Sequence, residues 1–395
     1  LEKNPELNFY RAEIAAAEGD RRTAGAIANP ELSSQVGARR AQDPQSGLAG
    51  EGVAWSVSVL QTFEYPGRLA LRKAIANRQI ELAELGYAQF RAALAARTRA
   101  LAYAVFTAQE NASAAQEVAD RFNALSEVVM QREPAGVSPL LEMRILEANA
   151  ITTQRRASEA AQAARAALIE LNQLRGQPLS AATRITPTQF SFRSAETLES
   201  LVDQARTNSF ELRIRQVELA QQGFKLTLAR NEKYPAVTAG PFYSEAQSGS
   251  VGEKERIIGV GVSLPLPLWN RNGGNVDTAR ARQQQAETSF ALAQREVERK
   301  VIENATAFET KLAEMSRWRT NAVEELRDAA ELADRHYRLG AVAVATYVEL
   351  QKQYLEAVGA VLDTKKDALQ AAQELEILTG KSFYKMDAPA KDQPP

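Results

Sequence analysis

The residue types that bind metals or carry out catalysis are sparse in this chain. It has one histidine, His336, no cysteine and four methionines, at positions 130, 143, 315 and 386, which do not cluster. A zinc or copper site needs several nitrogen or sulfur ligands, so we expect no metal site and no cofactor. His336 is predicted to be a surface or packing residue. No nucleophile–base set is evident either, and we expect that the chain is not an enzyme.

The chain is nearly neutral, with 48 basic and 49 acidic residues. A nucleic-acid-binding surface would need an excess of Lys and Arg, so we expect no nucleic-acid partner. Hydrophobic residues make up 45% of the chain but aromatic residues only 7%, which is typical of long, closely packed helices. No apolar stretch has the length of a transmembrane helix. The sequence starts at Leu1 without a signal-peptide pattern, as expected of a mature or trimmed protein.

The sequence contains an internal two-fold repeat. The pattern Glu-Leu-x-x-Leu-x-Gly occurs at residues 170–176 and again at 374–380, a displacement of about 204 residues, which is typical of a duplicated half-domain rather than a solenoid. Pro30 and Pro235 are separated by nearly the same distance. The two predicted repeats are residues 1–204 and 205–395.

Proline placement predicts two very long helices. No proline occurs between Pro66 and Pro134 or between Pro267 and Pro389, and proline breaks helix interiors. Each long helix would measure about 100 Å, which indicates a coiled coil or a helical barrel. The predicted long helices are 67–131 and 273–338, followed by turns at 132–139 and 338–345 and by shorter helices at 140–176 and 346–380.

The remaining helical and irregular segments complete the two repeats. A helix precedes the first strand, and another is predicted at 209–233. Because 140–176 and 209–233 together match one long helix in length, we expect them to stack end to end beside it. Residues 177–204 are predicted as a linker that can hold a small strand, and residues 381–395 as a tail.

Four short segments alternate between apolar and small or polar residues, which is the period of a β-strand. In residues 53–63, valine and aromatic side chains share one face and Ala, Ser and Thr share the other. Such a strand has the length to cross a bilayer at a tilt, with its apolar face towards lipid. A soluble sandwich would give the same alternation, but long helices offer no compact core to cover the sheet. The predicted strands are about 30–40, 53–63, 235–246 and 256–267.

Four strands per chain are too few to close a membrane barrel. Open strand edges are not tolerated in lipid, so an oligomer is required. Two chains would give about 8 strands around a filled lumen, whereas three would give about 12 and have room for a channel. We infer a homotrimer if transport is the purpose of the protein. An interfacial aromatic girdle in contact with membrane lipid would use residues at the inner strand ends. The candidates for this girdle are Phe63, Tyr65, Tyr234 and Trp269.

Several short motifs carry a family resemblance. Asn-Pro-Glu-Leu occurs at residues 4–7 and 29–32, Gln-x-Phe-Glu-x-x-Gly-Arg at 61–68, and Leu-Pro-Leu-Pro-Leu-Trp at 264–269. The turn Tyr-x-x-Gly leads to Glu-Leu-x-x-Gln within 337–353. In this order the motifs resemble the outer-membrane efflux proteins, the TolC-like outer membrane factors of tripartite pumps. The Asn-Pro-Glu-Leu and Phe-Glu-x-x-Gly-Arg motifs are most similar to the branch that serves heavy-metal cation efflux.

The resemblance implies a membrane α+β fold. Three chains would form a 12-stranded β-barrel in the outer membrane of a Gram-negative bacterium, continuous with a long α-helical barrel in the periplasm. The implied partners are a periplasmic adaptor, or membrane fusion protein, and through it a proton-driven inner-membrane RND transporter. The implied function is passive conduction of substrate, heavy-metal cations in the first place, out of the periplasm. The alternatives are a channel for drugs or other small molecules, or a soluble coiled-coil adaptor or structural protein.

The resemblance also points to candidate sites. Acidic residues just past the second turn line the periplasmic aperture in this family; Glu349 matches such a position, and Glu142 is its mate in the repeat. Three symmetric copies of one carboxylate would form a ring that favours cations, and an ordinary solvated glutamate is the alternative. Small or apolar turn residues would dock the adaptor, unless they serve only the turns. These are Gly136, Val137, Ser138, Gly340, Ala341, Val342 and Ala343.

Overall fold

The computed structural model describes residues 4–43, 47–130, 137–183, 185, 190–248, 253–319 and 321–386. The elements in chain order are α1 (Glu6–Ala24), β1 (Glu31–Asp43), β2 (Gly47–Phe63), α2 (Arg68–Met130), α3 (Val137–Leu174), β3 (Phe190–Phe192), α4 (Leu198–Asn208), α5 (Phe210–Asn231), β4 (Val237–Ser248), β5 (Glu253–Ser263), α6 (Gly273–Ser316), α7 (Ala322–Arg338), α8 (Val344–Thr379) and β6 (Tyr384–Met386).

The chain divides into two compact units. The strand unit comprises Tyr10–Leu85 and Ile214–Leu292, and the helical unit comprises Leu1–Phe9, Gly86–Arg213 and Ala293–Pro395. Among the described helices, none combines the length and the apolar character that crossing a membrane requires.

The strand unit contains an antiparallel sheet with the order β1-β2-β4-β5. Leu32 lies opposite Val59, and Val36 opposite Trp55; opposed residues share a face of the sheet. One face, called the apolar face below, carries the exposed residues Leu32, Val36, Val53, Trp55, Val59, Phe63, Ile258, Val260 and Val262. The other, called the small-residue face, carries Ser33, Gln35, Gly37, Ala54, Ser56, Ser58, Thr62, Thr238, Gly240, Ser244, Gly259 and Gly261.

The sheet curves towards the small-residue face. Arg39 of β1 and Glu255 of β5 both point to that face and form an ion pair of 2.7 Å. Two strands lie between β1 and β5, which would place their backbones about 14 Å apart in a flat sheet. Because the side chains meet directly, the small-residue face is concave and the apolar face is convex.

The strands differ in extent from the sequence prediction. The fourth strand, predicted at 256–267, ends at Ser263, because Pro265 and Pro267 have no N–H to donate to a ladder. The second strand, predicted at 53–63, begins already at Gly47, so part of the segment between the first two predicted strands continues the ladder.

The second long helix is not continuous, and the prediction of one helix over 273–338 is wrong. It is divided into α6 and α7. At the division the N–H of Arg317 donates to the Glu314 carbonyl and that of Trp318 to the Met315 carbonyl, both at 3.2 Å. These bonds span three residues instead of four, a tightening that ends an α-helix. By contrast α2 runs unbroken over 63 residues.

The predicted linker at 177–204 and tail at 381–395 contain secondary structure. Within the linker lie β3 and the first part of α4, and β3 pairs with β6 of the tail, Phe192 opposite Tyr384. The Phe308 ring of α6 lies 5.9 Å from that of Phe192 and 6.2 Å from that of Phe383. Helix α4 packs on α8 and contributes the buried Leu201 and Ala205. The linker and tail therefore form part of the core of the helical unit.

Candidate functional site

The first Asn-Pro-Glu-Leu motif joins two helices end to end. The Asn4 side-chain oxygen accepts the N–H of Glu6 at 2.8 Å, which caps the start of α1, and its amide group donates to the Leu174 carbonyl at 2.9 Å, at the end of α3. Proline at the first helical position favours this start. In the second half Asn208 donates to the Thr379 carbonyl at 2.8 Å. The end of α3 is thus joined to the start of α1, and the end of α8 to the junction between α4 and α5. The predicted stacking of 140–176 on 209–233 is therefore wrong.

The Phe-Glu-x-x-Gly-Arg motif holds the joint between sheet and helices in the strand unit. The Arg68 guanidinium donates to the Asn231 side-chain oxygen at 3.2 Å and to the Tyr234 carbonyl at 2.7 Å. A cation is well placed there, because the last carbonyls of α5 have no partner within the helix. Glu64 pairs with Arg72 at 2.6 Å. The motif therefore fixes the start of α2 against the end of α5.

The structure brings two of the predicted girdle aromatics together at this joint. The rings of Tyr65 and Tyr234 stack with their centres 4.3 Å apart, just beyond the ends of β2 and β4. Phe63, the last residue of β2, is exposed on the apolar face, and Trp269, which follows β5, is 94% exposed. All four residues lie at or near the connections between the strands of the sheet and the helices that precede or follow them.

The turn between α7 and α8 is tightly organised. The N–H of Gly340 donates to the Tyr337 carbonyl and that of Ala341 to the His336 carbonyl, both at 2.9 Å. This pair of bonds is the Schellman motif, and it requires a left-handed residue. Gly340 supplies it with a φ of 75°. His336 is exposed at the end of α7, as the sequence predicts.

A groove of about 590 Å³ lies beside this turn. It brings Glu142 of α3 next to the turn residues Gly340 to Ala343, and Leu125 and Val128 of α2 supply apolar lining. Val137 and Ser138 are the first residues of α3, and Gly136 lies outside the described residues. Glu142 and the second predicted turn therefore share one surface.

Glu349, by contrast, is exposed on α8 and accepts a hydrogen bond from Gln353 at 2.8 Å. It does not line the groove that contains its repeat mate Glu142. In the part of the chain that the structure describes, no group of three or more His, Asp or Glu residues is arranged to hold a metal ion.

Sequence reasoning missed a buried polar network in the helical unit. Gln351 is fully buried; its amide group donates to the Ala330 carbonyl at 2.7 Å, and its oxygen accepts from Arg121 at 3.2 Å. Arg121 also pairs with Glu117 and Glu331. The network links α2, α7 and α8. A signal was present, because Gln351 continues the helical stripe of Tyr347, Tyr354 and Val358.

Comparisons with known proteins agree with this fold. Residues 201–381 match the family model of the outer membrane efflux proteins. No curated protein matches the chain in sequence. A membrane protein from Pseudomonas aeruginosa is structurally similar, with a TM-score of 0.75 and 17% identity over 96% of this chain and 88% of that one.

Two further solved structures are similar. The MtrE outer membrane channel of Neisseria gonorrhoeae, in its open state, gives a TM-score of 0.73 and 16% identity over 96% of this chain and 86% of that one. CusC, described in terms of folding and transmembrane channel formation, gives 0.71 and 14% over 95% and 89%. The second half of this chain is therefore similar to the outer membrane efflux proteins, and the fold of nearly the whole chain is shared with these solved structures.

Proposed function

We propose that this chain is a passive export duct of the outer membrane of a Gram-negative bacterium. Three copies would contribute four strands each to a closed barrel of about 12 strands. The observation that carries the proposal is the sheet, whose convex face is apolar and exposed and whose concave face is lined by small and polar residues. An outer-membrane barrel needs this distribution, with lipid outside and water inside.

The extent of the apolar face supports this reading. The apolar positions of β2 run from Val53 to Phe63, and ten strand steps tilted by about 40° give a height of about 25 Å, the apolar band of an outer-membrane barrel. Beyond Val53 the Arg40–Glu51 ion pair begins, at 2.5 Å. At the other end lie the stacked Tyr65 and Tyr234. Aromatic girdles border the apolar band of such barrels, and the two stacked tyrosines lie where one of these girdles is expected.

The edges of the sheet and one helix favour association of several copies. Strands β1 and β5 are the outer strands, and an open edge within lipid is not tolerated. Helix α3 exposes Leu140, Leu141, Ile145, Ile151 and Ile169. Closure by neighbouring copies satisfies the strand edges, and burial of these side chains against a neighbour stabilises the assembly.

The energy for export must come from partners, because nothing in a passive duct supplies it. We assign the α7–α8 turn and the groove beside Glu142 to the periplasmic adaptor, which would link the duct to an inner-membrane RND transporter. Val342→Glu would place a charge in this lining and is expected to abolish efflux with the trimer intact. The matched control is Arg338→Lys, which keeps the charge at the same rim. Loss of the trimer in the Glu variant would mean that the turn is structural.

Cations are the proposed cargo, heavy-metal cations first, because the sequence motifs are most similar to that branch. Three copies of the exposed Glu349 carboxylate would favour cations at the periplasmic aperture. Glu349→Gln should lower cation selectivity in single-channel recordings. Glu142→Gln is the matched control, since Glu142 lies in the groove. Unchanged cation selectivity in the Glu349 variant would contradict the proposed ring of carboxylates.

The decisive experiment is extraction and reconstitution. We expect the protein to require detergent, to migrate as a heat-sensitive trimer, and to conduct ions in planar bilayers. The main alternative, a soluble coiled-coil adaptor or structural protein, predicts a water-soluble chain without conductance. A water-soluble monomer would contradict the proposed function.

A further inference from the structure

Phe242 is an aromatic exception on the small-residue face. In β4 it lies opposite Ser58 of β2 on one side and Gly259 of β5 on the other. Opposed residues share a face, so the Phe242 side chain points to the concave side of the sheet. Its neighbour in sequence, Tyr243, lies opposite Val57 and Ile258 and belongs to the apolar face.

The Phe242 ring rests directly on the backbone of β5. A Cβ atom at Gly259 would lie 2.8 Å from Cε1 and 2.9 Å from Cζ of this ring, and one at Gly261 would lie 3.9 Å from Cδ1. Glycine at 259 is thus what lets the ring approach the strand so closely. With one side of the ring on the glycine backbone, the other side faces the concave space, and Phe242 remains only half-buried.

A second apolar side chain adjoins the ring. Ile257 lies on the same face two residues before Gly259, opposite Ser244, and it is 47% exposed. If the Phe242 ring served only to cover the backbone at Gly259 and Gly261, an exposed isoleucine beside it would not be needed. Around the pair the concave face carries small and polar side chains, Leu60 of β2 and the Arg39–Glu255 ion pair.

We propose that Phe242 and Ile257 form a contact site in the lumen for organic cations that carry an aromatic ring. This inference rests on the proposed duct, in which the concave face becomes the lumen. The free side of the Phe ring attracts cationic groups through its quadrupole and stacks with planar rings. Hydrated metal ions gain little from such a surface because they would have to give up water.

The test is block of current through purified trimers in planar bilayers by ethidium, an aromatic cation. We expect Phe242→Ala to weaken the block by about twofold to thirtyfold, the range that cation–π contacts imply. Phe242→Leu keeps most of the apolar volume but loses the ring, and it should also weaken the block. Block by Zn²⁺, measured on the same channels, should be the same in all three proteins.

The matched control is Ile258→Ala, which changes the residue beside Gly259 on the opposite face and should leave the ethidium block unchanged. If Phe242→Ala does not assemble, Phe242→Leu decides the question. Conducting channels whose ethidium block is the same with Phe or Leu at 242 would overturn the lumen site. Wild-type protein that forms no channel would instead overturn the duct and, with it, the site.

Discussion

Helices α3 and α8 end in the same Glu-Leu-x-x-Leu-x-Gly pattern, yet their surroundings differ. In α8, Ala368 and Ala372 are fully buried, whereas their repeat mates in α3, Ala164 and Leu168, are only half-buried. Nearer the turns, the pairing of Glu142 with Glu349 sets the displacement at 207 residues. At this displacement Val358 of α8 is 8% exposed, whereas its mate, Ile151, is 71% exposed. The two helices therefore differ in the extent of their burial. Helix α8, called the covered helix below, is buried along most of its length, whereas α3, called the uncovered helix, buries fewer side chains, among them Leu146, Ala157 and Leu171.

The difference comes from elements that the repeat does not duplicate. Helix α4 follows α3 in sequence but packs on α8, and the β3–β6 pair adds Phe192 and Phe383 to the same cluster as the α8 residues. Helix α2 forms one ion pair with each of the two helices. Arg97 pairs with Glu170 of α3 and Arg99 pairs with Glu376 of α8, both at 3.2 Å. Helix α4 and the β3–β6 pair, rather than the repeated helices, therefore account for the deeper burial at the closing end of α8.

Truncation in the covered helix should have the largest effect on stability. Leu369 of α8 is 1% exposed, and Leu369→Ala is expected to lower the free energy of unfolding by about 2–5 kcal/mol, through lost burial and a cavity. Arg165, its mate in α3, is exposed, and Arg165→Ala should change stability by less than about 0.5 kcal/mol. Chemical denaturation followed by circular dichroism measures both. Equal losses would contradict the asymmetry.

The buried network should give the next largest effect. Gln351→Ala leaves the Ala330 carbonyl without its side-chain donor and removes a partner of Arg121, which should cost about 1–3 kcal/mol of the free energy of unfolding. Arg144, its mate at a displacement of 207 residues, forms an exposed ion pair with Glu147 at 2.6 Å, so Arg144→Ala should cost at most about 1 kcal/mol. Denaturation curves compare the two. A cost for Arg144→Ala as large as that for Gln351→Ala would mean that α3 is held as firmly as α8.

The uncovered helix should matter for assembly rather than for the fold of one chain. Ile151→Asp changes an exposed side chain and should leave the helical circular dichroism signal intact. If a second copy covers α3, the buried charge will prevent trimer formation. Size-exclusion chromatography with light scattering in detergent measures this, and Ile151→Leu is the control. A stable trimer with Asp at this position would show that nothing apolar covers this part of α3.

The smallest expected effect is a pH dependence of stability that comes from an ion pair between the segments next to α4 and α8. Glu196, just before α4, pairs with Lys381, just after α8, at 2.8 Å. Hydrogen bonds from Lys381 first, then from Ser200 and Gln204, lower the pKa of Glu196 from 4.5 to about 2. Because the folded-state pKa is the lower one, the stabilisation is present above pH 4.5 and is lost as the pH falls to about 2.

The measurement is the difference in melting temperature between the wild type and Glu196→Gln, which should shrink as the solution is acidified over this range. Lys381→Met should have the same effect as Glu196→Gln at neutral pH, and the double variant should add little. A difference that does not depend on pH would mean that the ion pair does not stabilise the α4–α8 contact.

Local patterns in the sequence predicted much of this structure. Alternation in residues 53–63 correctly assigned the faces of β2, because side chains on a strand alternate whatever surrounds them. The proline gaps located α2, but they failed for 273–338, where the helix ends at Ser316 without any proline. Gln351 was missed as a site because its burial depends on helices that are distant in sequence. The placement of Glu142 in the groove, away from Glu349, was likewise not predictable from their matching positions.

The sequence by itself determined the helix and strand types, the two faces of each strand, the repeat and the family resemblance, because each follows from local periodicity or from motifs. Only the tertiary structure decided that α4 covers α8 and that α3 joins α1. It also decided that Arg39 meets Glu255 across a curved sheet and that the Phe242 ring lies on Gly259. These contacts depend on which surfaces come together in three dimensions, and two helices with the same closing pattern offer no local difference that would reveal it.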